Sequence, residues 1–121
     1  MEPHIAYDPE FGVVTVKAEG ILNNQIGLVL AQKATDIASK NQCSKILCDY
    51  TAMKVTASTL DIYEYPSLAI QMGVPRHVKV AVVYSADEKS HKFWETVNRN
   101  AGFVARVFTL HDEAIKWLVG L

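Results

Sequence analysis

Residues 45–61 read Lys-Ile-Leu-Cys-Asp-Tyr-Thr-Ala-Met-Lys-Val-Thr-Ala-Ser-Thr-Leu-Asp. A short apolar run, Ile46 to Cys48, stops abruptly at Asp49, and a polar loop follows. Ser58, with Asp61 three residues on, marks a helix start of the capping-box kind, with Asp in place of Glu or Gln. An apolar run without alternation predicts a strand covered on both faces, as in a parallel sheet. A buried strand that hands over to a helix is the unit of an α/β fold. In open α/β sheets the carboxyl ends of such strands are where ligands bind.

Toward the N-terminus, His4 to Tyr7 predicts a short strand and Asp8-Pro9-Glu10-Phe11-Gly12 a turn. Val13 to Glu19 alternates, with Val14, Val16 and Ala18 on one face, and Gly20 ends it. Asn23 or Asn24 caps a first helix whose apolar positions run from Ile26 to Ala38, and Asn41 closes it.

Toward the C-terminus, the second helix contains Pro66, so it either kinks or divides into two short pieces. Gly73-Val74-Pro75 ends it. Val78 to Tyr84 is a fourth, nearly all-apolar strand. Ser85 with Glu88 predicts a full capping box opening a third helix with Phe93, Trp94, Val97 and Ala101 inward, ended by Gly102. Val104 to Phe108 is the fifth strand, and Thr109 with Asp112 caps a last helix that turns Ala114, Ile115 and Leu118 inward. The expected fold is α/β: one mixed, mostly parallel five-stranded sheet with an N-terminal hairpin and four helices, in the order β-β-α-β-α-β-α-β-α.

The 121 residues fit a single domain spanning 1–121. A chain of this size buries about two-thirds of its unfolded surface, enough to fold without a metal or disulfide staple. The formal net charge is -1 and the basic residues are scattered, which argues against nucleic acid as a partner. No apolar stretch is long enough for a membrane span, and no secretory signal is visible at the N-terminus. Cys43 and Cys48 lack the Cys-x-x-Cys spacing of a metal site and read as free thiols, which places the chain in the cytoplasm.

The order and residues resemble the STAS fold, the family of anti-sigma-factor antagonists and anion-transporter tails. In that family the third strand ends in Asp, often followed by an apolar residue and Ser, and Asp-Ser-Ser-Gly-Leu opens the second helix. Asp49-Tyr50-Thr51 matches the first motif and Ala57-Ser58-Thr59-Leu60 falls on the second. Ser58 thus occupies the place of the antagonists' phosphorylated serine, with Ala57 where they carry Asp and Leu60 where they carry Gly. The chain is more closely similar to the SpoIIAA-like small bacterial proteins, which pair a STAS-type fold with kinship to CRAL-TRIO lipid-binding domains. Tyr7-Asp8, Gly12-Val13-Val14, Val107-Phe108 and Glu113-Ala114-Ile115-Lys116-Trp117-Leu118 carry that likeness. It implies a binding or regulatory module, dimeric, with an apolar ligand.

Five residues are candidates for a ligand site: Asp49, Thr51, Ser58, Tyr63 and Tyr84. Each has a plainer role open to it. Asp49 can accept backbone N–H bonds after the strand, and Ser58 can act only as an N-cap. His91, near Asp87 and Glu88, reads as part of an exposed charged helix surface. No spacing of His, Cys or acidic residues suggests a metal, and no glycine-rich phosphate loop or nucleophile elbow occurs, so no cofactor is expected. Tyr63, Tyr65, Leu68 and Met72 make the second helix apolar on more than one side, more than one core contact needs. The expected function is non-enzymatic binding or regulation, with a small apolar or amphipathic molecule, a lipid or a protein partner held beneath that helix. A homodimer is expected through the same helix. The alternatives are a small enzyme using the Asp49, Thr51 and Tyr84 edge and a purely structural homodimerisation protein.

Overall fold

The protein is described from a computed structural model covering residues 2–120. The hairpin pairs β1 (His4–Asp8) antiparallel with β2 (Val13–Leu22). Its turn is tied by Asp8, whose carboxylate accepts from Glu10 N at 2.9 Å and whose carbonyl accepts from Gly12 N at 2.9 Å. Gly12 has φ +67°, which a side chain would resist. Then follow α1 (Asn24–Lys40), β3 (Lys45–Val55), α2 (Thr59–Gln71), β4 (Lys79–Tyr84), α3 (His91–Asn100), β5 (Val104–Phe108) and α4 (His111–Val119).

The five strands lie in the order β1-β2-β3-β4-β5, and β2 through β5 are parallel. The expected α/β architecture and element order are therefore present. Each crossover steps to the next strand in the same direction. Right-handed crossovers that all step one way place α1, α2 and α3 on one face. On that face Val14, Val16, Ile46, Cys48, Tyr50, Val82 and Tyr84 pack with Leu30, Ala34 and Ala38 of α1. The opposite face holds a smaller core, where Val13, Leu47, Ala81 and Val83 meet Ala114 and Leu118 of α4. Lys79 fastens α4 from below. Its Nζ donates to the Trp117 carbonyl at 2.6 Å and lies 4.4 Å from the Trp117 ring centroid.

Several element ends differ from those read in the sequence. β3 does not stop at Asp49. It runs to Val55, paired with a β2 that passes through Gly20 to Leu22. A bulge shifts the register between Lys17↔Asp49 and Glu19↔Ala52, so Tyr50 and Met53, three residues apart, are both buried in the larger core. This two-stranded extension is wet on one side, with Thr51, Ala52 and Lys54 exposed, and so it reads as a loop. α2 is one helix with the full Ser58–Asp61 capping box. Pro66 sits within it, unable to donate to the Ile62 carbonyl.

Ser85 and Glu88 do not cap α3. The Glu88 carboxylate accepts instead from the Ser90 hydroxyl at 2.7 Å, Ser90 N at 3.0 Å and Lys89 N at 3.1 Å, and the helix begins at His91. Inside α3 the buried residue is Asn98, 2% exposed, whereas Phe93 turns outward. The last helix starts after Leu110, with no side-chain cap from Thr109.

One contact protects an edge. Glu95 of α3 accepts from Val107 N of the edge strand β5 at 2.7 Å, a charge-assisted bond that fills an outward-facing donor. Glu95→Ala is expected to cost about 1.5–3 kcal/mol, and Glu95→Gln less, because a neutral acceptor remains. Urea denaturation measures both. An unchanged midpoint in Glu95→Ala would show that this bond adds nothing to stability.

Candidate functional site

α2 rests on its neighbouring helices rather than on the sheet. Asn24 at the start of α1 donates to the Asp61 carbonyl at 2.8 Å. The Tyr65 hydroxyl reaches toward the Gly27 carbonyl at 3.5 Å, a long bond, and the Tyr65 and Trp94 rings stand 6.5 Å apart. Gly27 makes this approach possible, since a Cβ there would lie 3.3 Å from the Tyr65 ring. Held by its flanks, α2 bridges a cavity of about 100 Å³.

The floor is the sheet, through Ile46, Cys48, Tyr50, Val80, Val82, Tyr84 and Ala105. The roof is Ile62, Tyr65 and Ala69 of α2. The walls are Gly27, Ala31 and Ala34 of α1 with Trp94 and Asn98 of α3. Protein interiors normally fill such space. Here small residues stand where larger ones would close it.

The aromatic rings form a connected group. Tyr50 and Tyr84 meet edge-on with centroids 6.3 Å apart, and Tyr84 meets Trp94 edge-on at 6.5 Å. Among the described residues no nitrogen or oxygen partners the Tyr50 or Tyr84 hydroxyl, and yet no fully enclosed side-chain N or O is left unpaired. Both hydroxyls therefore reach open space. The neighbour of Tyr50 is the Cys48 thiol, a weak partner. Asn98 spends its Nδ2 on the Trp94 carbonyl at 2.8 Å.

Burial dominates the acid–base behaviour of this group. It pushes the Cys48 thiol up to about 12, against a smaller opposite pull from the Tyr50 hydroxyl. It also raises Tyr50, Tyr65 and Tyr84, with the neighbouring thiol and phenols adding to the rise. These groups are neutral hydrogen-bonding partners, not bases, throughout the neutral range.

The five residues singled out in the sequence do not converge. Tyr84 is on the cavity floor. Asp49 alternates with Cys48 and Tyr50 and so projects from the other face of the sheet. Its Oδ1 accepts from Thr51 N at 3.1 Å and from Thr51 Oγ1 at 2.7 Å, the local role of a short acidic side chain. An enzyme edge that joins Asp49 and Thr51 to Tyr84 is thus divided by the sheet. Ser58 is an exposed N-cap, its Oγ accepting from Asp61 N at 3.1 Å while Asp61 Oδ2 accepts from Ser58 N at 3.0 Å. Tyr63 is 66% exposed, on the outside of α2.

The residues that build the cavity, Cys48, Tyr50, Tyr65, Trp94 and Asn98, were outside that candidate set. A signal for two of them was present. Tyr50 shares the parity of Cys48, and Tyr65 falls on the Ile62–Pro66–Ala69 stripe, whereas Tyr63 does not. Among the described residues no three His, Cys, Asp or Glu side chains gather into a metal-sized group. No helix there is long and apolar enough to cross a membrane. Cys43 and Cys48 are both free thiols. Neither a protein-family model nor a curated protein matches this chain. What the site does must come from its geometry.

The raised thiol gives a pH signature. An unfolded Cys48 ionises near 9.0, while the folded thiol keeps its proton to about 12. Its contribution is complete below pH 9 and is lost as pH climbs from there toward 12. The three raised tyrosines steepen the loss above pH 10, their ordinary value. Urea midpoints between pH 7 and 10.5 should fall, and fall less steeply in Cys48→Ala. Equal slopes in the two proteins would show that Cys48 is not the group responsible.

Proposed function

We propose that this protein is a non-enzymatic binding module that holds a small apolar or amphipathic molecule between α2 and the sheet. The observation that carries the reading is the bridging position of α2 over a space that small side chains leave open. An apolar cavity of about this size is a known kind of binding site; an engineered one of roughly 150 Å³ takes benzene. The chemistry of the walls supports binding over turnover. No Asp, Glu, Lys, Arg or His lines the cavity, and its thiol and phenols hold their protons. General acid–base catalysis needs a group that exchanges a proton near the working pH.

Ligand-induced stabilisation tests this. Saturating toluene should raise Tm in the wild-type protein, because a ligand that binds only the folded state shifts the equilibrium toward it. Ala69→Phe fills the roof and should abolish that shift while keeping the fold. A wild-type Tm indifferent to toluene and to other one-ring hydrocarbons would end the binding reading.

A second reading, self-association, is favoured by the outer surface of α2. Leu60 is 63% and Tyr63 66% exposed, side by side on the first turns of the helix. Tyr65, on the same helix, points into the cavity, so a charge there would test the ligand site and not an interface. Light scattering over a concentration series should show a dimer that Tyr63→Lys weakens. A wild-type protein monomeric at every concentration removes this reading.

A further inference from the structure

We propose that the ligand of the α2 cavity is a neutral single-ring molecule bearing a hydrogen-bond acceptor, which the hydroxyls of Tyr50 and Tyr84 recognise, and that carboxylates are excluded. This rests on the binding reading above and narrows it to a chemical class.

Charge is the first observation. The cavity presents no cation to pair with an anionic ligand. Glu88 is bonded to Ser90, which lines the cavity, and the His91 ring stands 6.2 Å from the ring of Tyr84 outside that lining. Burial works to raise the Glu88 carboxyl, but the bonds from Ser90 and Lys89, helped by the neighbouring His91, outweigh it and hold it below its ordinary value. An anion entering here passes the Glu88 carboxylate and finds only neutral donors, with no cation in the lining to offset its lost hydration. Burying an unpaired carboxylate costs far more than burying a neutral polar group.

Hydrogen bonding is the second. Tyr50 and Tyr84 are 7% and 4% exposed and line the cavity, and among the described residues no nitrogen or oxygen partners their hydroxyls. Each phenol brings a donor that an acceptor such as a carbonyl or ether oxygen would satisfy. Burial keeps both phenols protonated and therefore able to donate.

Shape is the third. About 100 Å³ accommodates roughly one ring and not an extended chain. The edges and faces of Tyr50, Tyr84 and Trp94 are disposed for ring contacts at 6.3–6.5 Å.

Three probes of near-equal size separate the possibilities: toluene, acetophenone and benzoate. Affinities are read from the quenching of tryptophan fluorescence and from Tm shifts in the full chain. Acetophenone should bind at least tenfold more tightly than benzoate. Tyr50→Phe or Tyr84→Phe should weaken acetophenone about threefold to tenfold, the range of a single neutral hydrogen bond, and leave toluene unchanged. Benzoate binding as tightly as acetophenone would overturn the proposal while leaving the binding site in place. So would acetophenone affinity that neither substitution alters. If toluene also fails to bind, the site itself is lost, and the proposal falls with it.

Discussion

The order in which the strands pair governs the rest of this structure. From β2 to β5 every strand is parallel to the one before and lies beside it. Handedness then leaves no choice of side, and three helices share one face. Open α/β sheets usually gain a crevice where the strand order reverses. This sheet never reverses, so its carboxyl edge offers no such crevice. Its space opens instead between layers, under the middle helix of the row. α1 lies on the sheet against β2, α3 lies against β5, and α2, between them, is carried by its neighbours.

A carried helix has an energetic consequence. A void of about 100 Å³ in an apolar core costs on the order of 2 kcal/mol relative to filled space. That is a large fraction of the stability of a small domain. Small side chains, Ala31, Ala34, Ala69 and Ala105, line the void, while the strand order rests on the sheet pairing. The cavity is thus a property of particular side chains laid on a topology that only makes room for it. A ligand that fills it recovers the missing contacts.

Fold and site were unequally legible in the sequence. The buried strands Ile46–Cys48 and Val78–Tyr84 declared themselves because both faces are covered, so nearly every residue is apolar. Beyond Asp49 the pattern failed for a physical reason. The paired extension of β2 and β3 is wet on one side and broken by a bulge, which hides the alternation that marks a half-buried strand. The same gap misplaced the site. An end of strand at Asp49 made that carboxylate look like a rim residue, although alternation sends it to the α4 face. On α3 the apolar Phe93 was the natural inward choice, yet Asn98 is the buried residue, because it lies one turn from Trp94 and satisfies itself on the Trp94 carbonyl. Hydropathy alone does not reveal an amide that carries its own partner. Nor does it reveal a cavity, which depends on what the facing elements leave unfilled.

The two rims of the sheet are unlike. Glu95 occupies the outward N–H of Val107 on β5, whereas no described side chain reaches an N–H of β1 from outside. A sheet with both rims bare could grow indefinitely, copy upon copy, into a fibre. At the β5 rim an incoming strand would first have to displace a charged carboxylate from Val107 N, so the β1 rim is the less guarded of the two.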